Sequence, residues 1–385
     1  MPVLPRAPLL LLTLALACAG GRAGSGSIAA DALLAGGPLV HPEPVAMALA
    51  EPDVLAVTPE MEAFLAAHVD SGGTAELRLR QLVAAIIDSR TFGVEYDERT
   101  RTASETFRIR RGNCLSFSTL FVAMARHVGL SAEYQEVDVP PDWTLDKDTY
   151  VLNRHVNVFV DLDASGTRVV DFNIGDFKTS YDMRRISDAR ARAHYYNNVG
   201  VERMQGGDTA SALACFRRAL EGSARGFAPA WTNLGTLYLR SGDPAFAEAA
   251  YLNALQAEPG DLVAMSNLVR LYDRLGDRQR ADAYRKRVVY HRKLNPYYRY
   301  ELARRAYASQ KYGEAIVHLE YASRKRPRED EFFFLLGLSY LQAGDARAAR
   351  RWLARAEEVA ATDALKKKYS NKIEILLRES HRTDR

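Results

Sequence analysis

One cysteine of the chain stands directly ahead of a helical pattern. From Cys114, apolar residues recur at helical spacing until Gly129 ends the pattern. The sulfur is therefore expected in the first helical turn, where unpaired backbone N–H groups, the helix dipole and the upstream Arg110 and Arg111 favour the thiolate. The same amides suit the oxyanion that forms when a sulfur attacks a carbonyl. We interpret Cys114 as a nucleophile rather than as a small hydrophobic residue packed at a helix start.

A nucleophilic cysteine needs a base to hold its proton and a third group to fix that base. His155 opens the alternating segment RHVNVFVDL, and Asp171 lies in the next one, RVVDFNI. The turn DASGT between the two segments predicts a hairpin that brings imidazole and carboxylate side by side. Each residue also has a plainer interpretation: His155 as an ordinary strand residue, and Asp171 as an acceptor at the hairpin end.

The elements that must position these residues follow from patterning and capping. TPEMEAFLAAHV, capped by Thr58, and TAELRLRQLVAAIID predict a helical lead-in, and Thr102 is placed to open a short helix. After the core helix, SAEYQEVDV alternates as a strand and PPDWTLDKDTY is predicted as a loop. The expected order is therefore helix, strand, loop, strand, turn, strand.

Three blocks of this region resemble the transglutaminase-like cysteine hydrolase superfamily: RGNCLSFSTLFVAMARHVGLSAEY, RHVNVFV and RVVDFN. In that family a cysteine opens the core helix, a histidine begins a later strand and an aspartate follows about one strand further on. By this resemblance Cys114, His155 and Asp171 are the catalytic residues of an α+β papain/transglutaminase-like domain.

Two departures from the family pattern stand beside the triad. Asn157 replaces the usual tryptophan, and DFN replaces the usual DPT after the aspartate. Members of the family include proteases, amidases, cross-linking acyltransferases and inactive relatives, and the active ones share a thioester formed by attack of cysteine on an amide. The resemblance implies this chemistry, and leaves open hydrolysis, transfer to an amine, or an enzyme-like scaffold without activity. No metal and no cofactor are expected.

The second half of the chain repeats itself with a 34-residue period. Leu234, Gly235 and Tyr238 recur 102 residues later, three periods on, as Leu336, Gly337 and Tyr340. This period resembles the tetratricopeptide repeat, so the resemblance implies an all-α solenoid after the first domain. Five repeats are predicted at about 193–227, 228–261, 262–295, 296–329 and 330–363, and a polar capping helix after them.

The repeats imply a groove that binds a protein or peptide partner. In this family the first helix of each pair lines the groove, which assigns to it the residues Arg240, Arg270, Arg274, Arg304, Tyr300 and Tyr307. Arginine forks suit carboxylates, and tyrosines add amphipathic contact area, so an acidic segment or a free C-terminus is the expected partner. The alternative is that these arginines are solvated or pair with neighbouring acids such as Asp273.

The first residues form a short apolar run followed by small residues, typical of a secretory signal. Cys18 resembles the lipidated cysteine of a bacterial lipoprotein, although Ala15 stands where leucine is usual. Plain signal-peptidase cleavage and a retained anchor are the alternatives. Lipidation would make the chain a periplasmic, outer-membrane-anchored lipoprotein of a Gram-negative bacterium, held in the membrane by its N-terminal lipid.

The remaining cysteines exclude a disulfide framework. Without Cys18 only Cys114 and Cys215 are left, and Cys215 lies among alanine and leucine at helical spacing, which predicts a buried small residue.

The whole chain has an ordinary globular composition. It has 52 Lys and Arg against 48 Asp and Glu, spread along the sequence, so a nucleic-acid partner is not indicated. The predicted organisation is a signal and linker at 1–27, a poorly patterned linker at 28–57, the transglutaminase-like domain with its helical lead-in at 58–190, five repeats at 191–363, and a capping helix and tail at 364–385. The sequence predicts an exported cysteine enzyme acting on amide bonds; its alternative is a non-catalytic envelope scaffold.

Overall fold

The computed structural model describes most of the chain between residues 28 and 360. The described residues are 28–39, 52–88, 90–138, 155–172 and 181–360, the strands at 143–146 and 149–152, and residues 366, 367, 369, 370 and 373. The predicted leader with Cys18, and most of the predicted capping helix and tail, lie outside the described residues. Within these ranges no helix is both long enough and apolar enough to cross a membrane.

Among the described residues, four α-helices precede the helix that begins at Cys114, and capping residues explain where three of them begin. They are α1 (Ala30–Ala35), α2 (Pro59–His68), α3 (Ala75–Ile87) and α4 (Ala103–Ile109). The hydroxyls of Thr58, Thr74 and Thr102 each accept a hydrogen bond from the backbone N–H three residues on, at the starts of α2, α3 and α4. At α4 the Glu105 side chain reciprocates, which completes a capping box.

A buried helix packed on an antiparallel sheet forms the centre of the first domain. The helix is α5 (Cys114–His127), preceded by the short parallel pair β1 (Glu95–Tyr96) and β2 (Arg111–Gly112). The sheet has the order β7-β6-β3-β8, with β3 at Ser131–Asp138, β6 at His155–Asp161, β7 at Thr167–Val170 and β8 at Asp182–Ile186. Helix α5 contacts β3 and β6, and it buries Leu120, Phe121 and Met124 completely.

Two features of this domain differ from the sequence prediction. The segment predicted as a loop contains an antiparallel hairpin, β4 (Trp143–Asp146) with β5 (Thr149–Leu152). Its Thr, Tyr, Val and Trp residues favour strands, but the neighbouring prolines and aspartates read as a loop. Strand β8 was not predicted, because DMRRI carries too few apolar residues to show the alternation of a half-buried strand.

Within residues 181–360, ten helices in five pairs follow the sheet. They are α6 (Asp188–Gln205), α7 (Thr209–Glu221), α8 (Ala228–Arg240), α9 (Pro244–Ala257), α10 (Leu262–Arg274), α11 (Arg278–Leu294), α12 (Pro296–Ala308), α13 (Tyr312–Lys325), α14 (Asp330–Gln342) and α15 (Ala346–Val359). Glycine allows the close crossing within a pair: a Cβ on Gly235 would lie 2.7 Å from the Tyr251 ring, and one on Gly337 would lie 2.6 Å from Leu353 Cγ.

The apolar core divides between the third and fourth helix pairs. One cluster of buried residues runs from α1 through the first domain to Val288 in α11, whereas a second cluster holds α12, α13 and α14 together. The fourth pair nevertheless contacts the first domain, because Arg326 at the end of α13 forms an ion pair with Asp182 of β8. The first domain and the first three repeats therefore share one core.

The predicted linker at 28–57 is not free of structure. Helix α1 lies within it, and Leu33 of this helix is completely buried against the repeats. The Tyr238 hydroxyl donates to the Leu33 carbonyl at 2.5 Å, and Arg217 donates to the Leu34 carbonyl. Two adjacent leucines in a six-residue helix give too short a pattern to predict this contact from sequence.

Candidate active site

The nucleophile candidate lies where the sequence predicts it, at the first position of α5. The Asn113 side chain caps the helix by accepting the Ser116 N–H at 2.9 Å. The backbone before the helix lies close to its first turn, and Gly112 permits this approach because it has no side chain. A Cβ there would lie 2.6 Å from the Ser116 Cβ. Cys114 is partly exposed, and it is therefore accessible to a substrate.

A loop ahead of α4 holds the capping residue in place. The Asn113 amide donates to the Thr100 hydroxyl at 2.8 Å and to the Glu98 carbonyl at 3.2 Å. The Ser116 hydroxyl accepts the Arg101 N–H at 2.9 Å, so the same loop is also hydrogen-bonded to the first turn of α5. The start of the nucleophile helix is thus fixed from outside the helix.

The sheet brings the base and the acid together at the start of β6. The His155 Nε2 and the Asp171 Oδ2 lie 2.7 Å apart, and only 7% of Asp171 is exposed. The strand is tied to the nucleophile helix, because the Ser118 hydroxyl donates to the Val156 carbonyl at 3.0 Å. Since Nε2 is engaged by Asp171, Nδ1 is the ring nitrogen left for the thiol.

A fourth residue of the site was not predicted as functional. The Asn157 amide donates to the same Asp171 Oδ2 at 3.0 Å, and Asn157 is completely buried. It lies two residues after His155 in β6 and therefore on the same face of the strand. That spacing was the available signal, but in the sequence Asn157 registered only as a departure from the family pattern.

The electrostatics of the site favour a charged imidazole. Burial of His155 disfavours the imidazolium, but hydrogen bonding and charge attraction by Asp171 and Cys114 outweigh it and raise the pKa of His155 to about 9. Since both Asp171 and Cys114 raise the pKa of His155, the three predicted residues lie close together. The buried Cys215 behaves differently, because burial raises the pKa of its thiol to about 11.

Aromatic rings border the site on the side of β1. Tyr96 stacks on Phe172 with ring centroids 6.5 Å apart, and Phe172 contacts Phe117 of α5 at 4.9 Å. Partial burial raises the pKa of Tyr96, and so does the nearby Cys114. The exposed Tyr96 ring therefore lies near the sulfur, packed on Phe172.

The predicted groove residues lie at the first helices of their pairs but in different surroundings. Arg304 pairs with Glu301 at 2.9 Å, Tyr300 packs on Phe332 at 4.8 Å, and Tyr307 lies 5.5 Å from Tyr312. Asp273, the acid considered as a neighbour for the groove arginines, pairs with Arg285. These contacts bury part of both tyrosine rings between helices.

The other three arginines lie towards the ends of α8 and α10. Arg240 and Arg274 are near enough to the buried Tyr251 to lower its pKa, although burial dominates and raises it to about 12. Strand β5 of the hairpin contacts α10, the helix that carries Arg270 and Arg274. The role of these arginines in binding a partner stays a prediction.

Comparison with family models agrees with both halves of this description. Residues 64–170 match the model described as Transglutaminase-like superfamily, and residues 228–261 and 264–297 match models described as Tetratricopeptide repeat. The first match contains Cys114 and His155 and ends one residue before Asp171. The chain therefore contains a transglutaminase-like core domain followed by tetratricopeptide repeats, which confirms the predicted fold class.

Several solved structures match part of this chain. One, "Crystal structure of MamA protein", is 18% identical with a TM-score of 0.24 and covers 44% of this chain and 91% of that chain. "Crystal structure of YrrB: a TPR protein with an unusual peptide-binding site" is 19% identical with a TM-score of 0.24, covering 46% and 92%. MamA 41-end from Desulfovibrio magneticus RS-1 is 16% identical with a TM-score of 0.25, covering 45% and 96%. Likeness at this level carries no functional argument. A search of curated proteins finds no match.

Proposed function

We propose that this chain is an exported cysteine enzyme that cleaves or transfers amide bonds through a thioester on Cys114, and that its repeats hold a protein partner or substrate. The observation that carries the proposal is the arrangement of His155, which contacts Asp171 at 2.7 Å and lies near enough to Cys114 for the sulfur to raise the pKa of the imidazole. Cys114 and His155 also lie within the match to the transglutaminase-like family.

The first half of the reaction follows from the charge state of the site. A thiolate at Cys114 and an imidazolium at His155 form an ion pair, and the raised pKa of His155 favours this pair at neutral pH. The sulfur bonds to the amide carbonyl carbon, and the carbonyl electrons move to oxygen, where N–H groups at the start of α5 stabilise the charge. His155 then gives its proton to the amide nitrogen, the C–N bond breaks, and the amine leaves a thioester behind.

The second half regenerates the enzyme. Water or an amine attacks the thioester carbon, neutral His155 takes the proton of the attacking group, and the Cys114 thiolate leaves. Water yields a carboxylic acid, and an amine yields a new amide. The resemblance supports either acceptor, so the proposal includes both hydrolysis and transfer.

Thiol reactivity tests whether Cys114 is privileged. With iodoacetamide on the folded protein and peptide mapping by mass spectrometry, Cys114 is expected to react at least about tenfold faster than Cys215, because burial holds the Cys215 thiol protonated. Cys215→Ala is the matched control and should leave labelling of Cys114 unchanged. Equal labelling of the two cysteines would favour the alternative function, a non-catalytic envelope scaffold.

The export and lipid part of the proposal is supported by the leader sequence. If Cys18 carries a lipid, Cys18→Ser should move the protein from the membrane fraction to the soluble fraction. Unchanged membrane association would contradict a lipid anchor at this residue.

The partner part is supported by the repeats and by the arginines at the end of α10. Reversing charge with Arg270→Glu and Arg274→Glu should weaken capture of an acidic peptide, more strongly at low salt, and leave labelling of Cys114 unchanged. Capture that changes neither with salt concentration nor with charge reversal would contradict the proposal that the repeats bind an acidic partner.

A further inference from the structure

Helix α6, the first helix of the repeat region, contacts the catalytic domain at three points along its length. At its start, Asp188 forms a two-pronged ion pair with Arg126 near the end of α5, at 2.7 and 2.9 Å. Further along its first half, Arg190 and His194 each lie 2.6 Å from the buried Glu136 of β3. A helix of the solenoid thus touches both the helix that carries Cys114 and the strand paired with β6.

The third contact, near the end of α6, reaches the nucleophile through two intermediates. The Glu202 carboxylate accepts the Thr100 N–H at 2.7 Å. The Thr100 hydroxyl accepts the Asn113 amide at 2.8 Å, and Asn113 in turn caps the turn that begins with Cys114. Thr100 is 7% exposed, so water does not easily replace a lost partner in this chain of hydrogen bonds.

This chain of contacts determines which way the Asn113 side chain faces. Its amide nitrogen is directed to the loop residues Thr100 and Glu98, which leaves its oxygen for the Ser116 N–H and hydroxyl. With the Ser116 N–H satisfied by the cap, the N–H groups of Cys114 and Leu115 are the first-turn donors that remain for an anion. A displaced Thr100 would let the Asn113 amide turn and compete for this region.

We infer that Glu202, in the first repeat helix, is a positioning residue for the Cys114 nucleophile, acting through Thr100 and Asn113. Because Cys114 is the proposed nucleophile, this role rests on the proposed function. It also makes the first repeat part of the catalytic unit, since a force on α6 from a partner in the repeats reaches the start of α5. The repeats are then more than an attached binding module.

Alkylation of Cys114 tests this role without a substrate. In full-length protein, the rate constant for iodoacetamide at Cys114 is measured from pH 5 to 10 in wild type, Glu202→Ala, Glu202→Gln and Thr100→Val. Glu202→Ala should slow the reaction about tenfold, the effect of one lost charge-assisted hydrogen bond, and should move the pH midpoint upward. Glu202→Gln, whose amide oxygen can still accept the Thr100 N–H, should restore most of the rate.

Thr100→Val separates the relay from a general loss of stability. It keeps the N–H that faces Glu202 and removes the hydroxyl that faces Asn113, so it should slow alkylation as Glu202→Ala does, and the double variant should be no slower than either one. Glu221→Ala, at an exposed position in the second helix of the same repeat, is the control and should leave rate and pH midpoint unchanged.

Two outcomes decide the matter. If Glu202→Ala and Thr100→Val lower the melting temperature but keep the wild-type rate and pH profile, Glu202 is only an interdomain bond and the inference fails. If alkylation depends on Glu202 but no amide substrate acylates the wild type, the proposed function fails and the positioning role stands.

Discussion

At the scale of single residues, the carboxylate of Asp171 collects two donors on one oxygen, from His155 at 2.7 Å and from Asn157 at 3.0 Å. Asn157→Ala removes one of these donors from a buried carboxylate. We expect Cys114 acylation to slow about tenfold, for one lost hydrogen bond to a charged group. The measurement is the single-turnover acylation rate, and an unchanged rate would show that Asn157 has no role in holding the acid.

The charge state of His155 gives a pH prediction with a definite sign. The pKa of His155 is raised to about 9 from 6.5, so its ion pairs stabilise the fold fully below about pH 6.5, and this contribution is lost as the pH rises through about 9. An NMR titration of the His155 ring should therefore show a midpoint near 9. In Cys114→Ala the midpoint should fall, because Cys114 is one of the two groups that raise the pKa of His155. An unchanged midpoint in this variant would contradict the proximity of the sulfur to the imidazole.

The sequence marks the three proposed catalytic residues, whereas it does not mark the residues that contact and orient them. Cys114 and His155 each open an element, and Asp171 stands at the end of one, so periodicity marks all three. Asn157 looks like any polar residue in a strand, and Thr100 and Glu202 are 102 positions apart with no local pattern linking them. Contacts of this kind depend on how elements pack, which a linear pattern does not encode.

At the scale of elements, the start of α5 depends on the absence of a side chain at Gly112. In Gly112→Ala the new Cβ would lie 2.6 Å from the Ser116 Cβ, so the helix start or the loop must shift. We expect a loss of about 1 to 3 kcal/mol in the free energy of unfolding, measured by urea denaturation. Gly260→Ala is the control, because nothing lies within 4 Å of a Cβ there. Equal stability of the two variants would contradict the close approach.

Caps and periodicity account for which elements were predicted. The helices that begin at Thr58, Thr74 and Thr102 have side-chain caps, and the strands flanking DASGT alternate clearly. The β4–β5 hairpin was missed because prolines and aspartates lie beside its strand-favouring residues, and β8 was missed because charged residues dominate DMRRI. Strand β8 owes its place to pairing with β3 rather than to its own pattern.

At the scale of the whole molecule, a buried ionic network joins the two domains. Glu136 accepts hydrogen bonds from Arg190, His194 and Arg184, and although burial alone would raise its pKa, these partners hold it well below its usual range. Glu136→Gln removes the buried negative charge that Arg190 and the buried His194 share, so we expect a loss of about 3 to 5 kcal/mol in the free energy of unfolding. The contribution should be present above about pH 4.5 and should vanish as the pH falls through the lowered pKa.

Glu133→Gln on the same strand is the matched control. Its ion pair with Arg185 is exposed, so its loss should cost less than about 1 kcal/mol. Similar costs for the two variants, measured by denaturation at pH 7, would contradict a special role for the network. One apolar cluster continues across the predicted domain boundary near 190, so the network and the core join the same two regions.

The central claim is that Cys114 forms a thioester with an amide substrate. The most direct measurement is to incubate full-length protein with a panel of activated amides, quench it in acid and locate the adduct by peptide mass spectrometry. An acyl group on Cys114 is predicted in wild type, a much reduced amount in His155→Gln, and none in Cys114→Ala. Absence of any adduct at Cys114 across the panel, in protein whose Cys114 still reacts with iodoacetamide, would contradict the account.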